Sequence, residues 1–83
     1  MILSDHALEE MAHSAISEEE VQQCLEHGNL IAKQRVKGEL RYLKRIEFKE
    51  RKIIVIYTYV GDEEKVITTY PIKRKKQWTT QNS

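Results

Sequence analysis

LRYLKRIEFKERKIIVIYTYVGDEEKVITTYPI, residues 40–72, is the stretch that decides the fold. Residues 40–48, 52–60 and 65–72 are rich in β-branched and aromatic side chains. The breaks between them, Lys49-Glu50-Arg51 and Gly61-Asp62-Glu63-Glu64, have turn chemistry. Breaks this short close hairpins, so consecutive strands should be antiparallel neighbours. The middle run is apolar on both faces, with Ile53, Val55 and Tyr57 alternating against Ile54 and Ile56. That pattern suits a central strand with helices packed on one side and partial shelter on the other. Upstream, residues 30–36 followed by Lys37-Gly38-Glu39 read as a further strand, which completes a meander of four.

Toward the start of the chain the period changes from two to that of a helix. Ser4 can cap a short helix with Leu8, Met11, Ala12 and Ala15 at helical spacing and Asp5 in its first turn. Ser17 with Glu20 forms a capping box ahead of the stripe Val21, Cys24 and Leu25, and Gly28 offers a left-handed stop. The expected fold is therefore α+β, with two N-terminal helices packed on a four-stranded antiparallel meander sheet. One domain should occupy residues 1–76. Lys73-Arg74-Lys75-Lys76 has strong charge and no strand pattern, and residues 77–83 read as a flexible C-terminal tail.

At 83 residues there is room for one core and one site, and a partner or a second copy is a plausible stabiliser. A hydrophobic fraction of 40% with 33% charged residues is ordinary for a folded domain. The longest apolar run falls far short of the roughly 20 residues of a membrane span, and no signal-peptide pattern opens the chain. These features point to a cytoplasmic protein with no membrane contact. The single cysteine, Cys24, agrees with a reducing compartment.

Charge is segregated along the chain. Seven acidic and no basic side chains precede Lys33, whereas all 14 Lys and Arg lie from Lys33 onward. Such a field attracts polyanions whatever the net charge of +1. Arg41 and Arg45 should lie on one strand face, four residues and about 13 Å apart at the usual strand rise, where their guanidinium forks could hold phosphate. Lys33 and Arg35 extend the basic field on the preceding strand. Tyr42, Tyr57, Tyr59 and Tyr70 are interleaved with it, as stacking on unpaired bases requires. Solvated arginines on a polar strand face and rim tyrosines with wet hydroxyls are the commoner use of both.

His6, His13, Cys24 and His27 could bring four donor atoms together on adjacent helices. Neither spacing is a recognised zinc pair, and Cys24 belongs to an apolar stripe, so Cys24 reads as core and no metal or other cofactor is expected. Phosphate-loop, serine-elbow and zinc-helix motifs are missing from the sequence. A metal-free reaction on RNA does fit the residue types. Attack by the 2'-hydroxyl needs a proton acceptor or donor such as His6, a cation such as Arg41 or Arg45 for the phosphorane, and a positioner or donor such as Tyr70 or Lys73.

His6-Ala7-Leu8, Met11, Ile16-Ser17-Glu18-Glu19-Glu20-Val21, Leu25, Gly28, Tyr42 and Val66-Ile67-Thr68-Thr69-Tyr70 together resemble a small domain-of-unknown-function family grouped with the RelE/ParE-like toxins. The resemblance covers residues 2–72. It implies two helices on a four-stranded antiparallel sheet, shared with RNA endonuclease toxins that act on free or ribosome-bound mRNA and are encoded with an antitoxin. His6 matches the family's helix-one histidine, Tyr42 its strand-two tyrosine, and Thr68 with Tyr70 its last-strand pair. Glu10 and Ser14 stand where members commonly carry arginines, which weakens phosphate binding there.

The resulting expectation is a toxin-like RNA-binding domain, in its strongest form a metal-independent ribonuclease. His6, Arg41, Arg45 and Tyr70 would be catalytic, and Lys33, Arg35, Tyr42, Thr68, Lys73 and Arg74 would hold RNA. The alternative is a non-catalytic protein- or nucleic-acid-interaction module with the same fold. A homodimer through an exposed edge strand is compatible with either.

Overall fold

The computed structural model describes residues 1–72. The expectations placed on Lys73, Arg74, the boundary at residue 76 and the tail 77–83 lie outside the described residues. Within them the chain forms β1 (Ile2–Leu3), α1 (Asp5–Ser14), α2 (Glu18–His27), β2 (Asn29–Val36), β3 (Glu39–Glu47), β4 (Lys52–Val60) and β5 (Glu63–Ile72).

Each helix starts where the sequence supplies a cap. The Ser4 hydroxyl accepts from the Ala7 N–H at 3.0 Å and donates to the Ile67 carbonyl at 2.8 Å, so the start of α1 is tied to the sheet. Ser17 and Glu20 form the reciprocal capping box of α2. The helix ends differ from the sequence reading. Ala15, not a glycine, takes the left-handed conformation after α1, at φ 54 and ψ 43. The Ile16 N–H closes that turn on the Met11 carbonyl at 2.9 Å, and Ile16 is buried. Gly28 is extended, at φ −71 and ψ 167, which corrects the expected left-handed stop. A Cβ there would lie 2.5 Å from the Cys24 carbonyl oxygen and 3.0 Å from that of Arg45. Close packing between α2 and β3 is what demands glycine.

The four long strands form the expected antiparallel meander. The sheet is nevertheless five-stranded and mixed, in the order β1-β5-β4-β3-β2. The additional strand pairs parallel with β5, Ile2 against Lys65 and Leu3 against Val66. Two residues are too few to show a period-two pattern, which is why the sequence does not reveal it.

Both helices lie on one face. Ala7, Met11, Ile16, Val21, Cys24 and Leu25 meet Ile53, Val55, Tyr57 and Val66 there in a single buried cluster. Arg51 anchors the far end of this layer. Its guanidinium donates to the carbonyls of Ser14 (2.9 Å) and Ala15 (2.8 Å) and to Glu20 Oε1 (2.9 Å). Carbonyls at a helix C-terminus have no intrahelical donors, so one planar fork satisfies two of them and fixes α1 against the cap of α2.

Candidate functional site

The candidate site is the sheet face that carries no helix, and three register events determine which side chains reach it. The β2–β3 turn has two residues, Lys37 and Gly38, at φ 51 and 83, so Val36 sits opposite Glu39. The three-residue break read from the sequence would have set Arg35 opposite Arg41. Shortening the turn by one residue pairs Gln34 with Arg41 and sends Lys33 and Arg35 to the other face. The second event is a bulge between Leu30 and Ala32. The third lies on β5 where it passes from Val66 to Thr68, leaving Ile67 without an opposite number. Beyond that bulge Thr68 pairs with Ile56 and Tyr70 with Ile54, so both side chains point to the open face.

Arg45, Ile54 and Tyr70 therefore form one cross-strand row on the open face, and Leu43, Ile56 and Thr68 form the next. Ile54 is 5% exposed although no helix covers it and it takes no part in the main core cluster. Tyr70 is 39% exposed. Arg41 donates from Nε to Glu39 Oε1 at 2.9 Å, which fixes the side chain and leaves its terminal amino groups without another partner among the described residues. Arg45 makes no ion pair or side-chain hydrogen bond among the described residues. Between β2 and β3 this face dips into a hollow of about 110 Å³ lined by Ala32, Gln34, Val36, Arg41, Leu43 and Ile56, together with Tyr42, whose side chain belongs to the other face.

The helix-side face carries Lys33, Arg35 and Lys44 with Tyr42, Tyr57 and Tyr59, and part of it extends past the helices. A ten-residue helix is about 15 Å long, whereas nine strand residues span about 30 Å. Lys33 pairs with Tyr42, and Tyr42 with Tyr57, along one row. The Tyr42 and Tyr57 rings stack with centroids 5.3 Å apart, and Tyr59 meets them edge-on at 5.5 and 5.8 Å. Lys44 donates to the Leu25 carbonyl at 2.6 Å and lies 5.7 Å from the centre of the Tyr57 ring, so its charge serves the C-terminus of α2. Burial, reinforced by Tyr59, Glu64 and Tyr42, pushes the Tyr57 phenol up to about 12.

The predicted residues thus divide into two groups. Arg41, Arg45, Thr68 and Tyr70 share the open face. Lys33, Arg35 and Tyr42 lie on the helix side, and His6 is exposed on α1 in the helix layer, so the sheet stands between it and the two arginines. His13 and His27 are exposed as well, and Cys24 is fully buried in the core. Gln34 and Leu43 were not singled out from the sequence. The dipeptide Lys37-Gly38 was the signal that could have found Gln34, because a two-residue turn sets its partner.

Residues 3–71 match the model of a family described as a domain of unknown function, DUF4258. The match spans most of the chain, which belongs to that family. No curated protein and no solved structure matches it.

Proposed function

We propose that this DUF4258 domain is a toxin-like RNA-binding module that holds a single strand across the open face of its sheet. The observation that supports this reading is the row Arg45, Ile54 and Tyr70, with Arg41 on the same face four residues away along the same strand. Arg45 offers a fork that pairs with none of the described residues and can take phosphate, and Tyr70 offers a half-exposed ring on which a base can stack. Ile54 between them supplies an apolar floor. The likeness to RelE/ParE-like toxins favours the same class of ligand, and an antitoxin-like partner would cover this face in the resting pair.

Binding without cleavage is the form we favour. The ribonuclease reading needs His6 beside the arginines, and the two lie on opposite sides of the sheet. General acid or base catalysis requires hydrogen-bond reach to the reacting group, and no histidine lies on the open face among the described residues.

Titrating labelled single-stranded RNA with protein over a salt series tests the proposal. Two arginine contacts predict a log-log slope of about −1.4, at roughly −0.7 per phosphate on a single strand. Arg45→Ala should reduce the magnitude of that slope by about 0.7, and Tyr70→Ala should weaken binding with the slope unchanged. Absence of salt-dependent binding by the folded wild type would refute the reading. Cleavage in EDTA that His6→Ala abolishes would replace it with the ribonuclease.

A further inference from the structure

We propose that the hollow between β2 and β3 is a subsite for one unpaired nucleobase, with adenine the base it accepts and Gln34 the side chain that reads it. The inference rests on the RNA-binding reading above and specifies which part of the strand that face selects. The hollow of about 110 Å³ corresponds to roughly four water volumes at about 30 Å³ each, room for a planar ring and not for a whole nucleotide. Its floor is apolar, made by Ala32, Val36, Leu43 and Ile56, as the face of a base requires.

The polar side chains that line it from this face are Gln34 and Arg41. Gln34 and Arg41 are directly opposite on neighbouring strands and on the same face. The Gln34 side chain is exposed and has no hydrogen-bond partner among the described residues. Its amide presents a donor beside an acceptor, the pattern that complements the N6 amino group and N7 of adenine in a bidentate pair. Arg41 is held by Glu39 through Nε, so its guanidinium plane is fixed at the rim, where it can lie against the base and keep its terminal amino groups for phosphate. Arg45, two rows further on the same face, would hold the backbone further along the strand. Arg45 and Tyr70 then supply affinity that ignores sequence, while Gln34 supplies discrimination.

The experiment compares the affinities of short oligo-adenylate and oligo-cytidylate for the wild type, Gln34→Ala and Ala32→Phe. Both substitutions lie at exposed positions of an edge strand, and circular dichroism confirms that each variant is folded. The wild type should favour oligo-adenylate by about five- to tenfold, the lower end of a bidentate contact because the site is open. Gln34→Ala should remove the preference and leave oligo-cytidylate affinity unchanged. Ala32→Phe, which fills the hollow, should weaken oligo-adenylate most. Equal binding of the two oligomers by the wild type, or a preference that survives both substitutions, overturns the subsite and leaves the RNA-binding module standing. Failure to bind either oligomer overturns both.

Discussion

Replacing Gly28 by alanine sets two known effects against each other, and the structure decides their sign. At φ −71 the position is open to any L-residue, so Gly28→Ala should stabilise by about 0.4–1 kcal/mol through the unfolded chain alone. The new methyl group would, however, sit 2.5 Å from the Cys24 carbonyl oxygen, 3.0 Å from the Arg45 carbonyl oxygen and 3.1 Å from Cys24 Sγ. None of these atoms is free to move. The Cys24 carbonyl accepts the Gly28 N–H at 2.8 Å, the Arg45 carbonyl belongs to a strand paired on both sides, and the sulfur is fully buried. Overpacking of this kind costs about 1–3 kcal/mol, so the net expectation is a loss of about 1–2 kcal/mol. For a domain of this size that lowers Tm by roughly 4–16 °C. Gly38→Ala is the contrasting case: nothing lies near its added Cβ, and the cost of roughly 1–2 kcal/mol comes from φ 83 alone. Thermal and urea unfolding of both variants checks the argument. Gly28→Ala as stable as wild type, or more so, would show that α2 and β3 are not in contact as described.

Further outcomes follow from the same packing. Arg51→Met should cost about 2–3 kcal/mol in urea unfolding, because it removes charge-assisted bonds to two helix-end carbonyls as well as the pair with Glu20, whereas Glu20→Gln should cost less than half as much. Stability should fall at alkaline pH. Burial raises the Cys24 thiol from 9.0 to about 11 and the Tyr57 phenol from 10.0 to about 12, so the unfolded chain releases both protons first. It then binds fewer protons than the native state, and the free energy of unfolding declines as pH rises from about 9 to 12. Tyr57→Phe should flatten the upper part of that decline, and a urea midpoint independent of pH across the range would contradict it. Arg45→Ala should leave the unfolding midpoint within about 0.5 kcal/mol of wild type, since its guanidinium has no partner among the described residues, and a larger change would assign it a structural role.

The elements of this domain were legible in the sequence because their signals are local. Ser4 and the Ser17–Glu20 box start helices wherever they precede an apolar stripe, and the alternation in residues 40–72 makes strands that short turns must place side by side. The division of the arginines and lysines between two faces was not legible from alternation alone. Lys33 and Arg35 alternate just as Arg41 and Arg45 do. Whether the two pairs meet depends on whether the turn at Lys37 has two or three residues, and a change of one residue flips the whole strand. Arg51 reads in sequence as one more charge in a turn, because nothing local shows that the ends of two helices converge on it.

By itself, then, the order of residues determined two capped helices, four strands in antiparallel sequence and a buried Cys24, since these depend on periodicity and on neighbours a few positions apart. Tertiary structure alone decided that Ile2 and Leu3 add a parallel edge, that Gly28 serves close packing and not a left-handed turn, and that the bulge at Ile67 turns Thr68 and Tyr70 toward Arg45 while His6 stays beyond the sheet. Each of these is a contact between segments far apart in the chain, formed only when the register of the strands and the seating of the helices are set together.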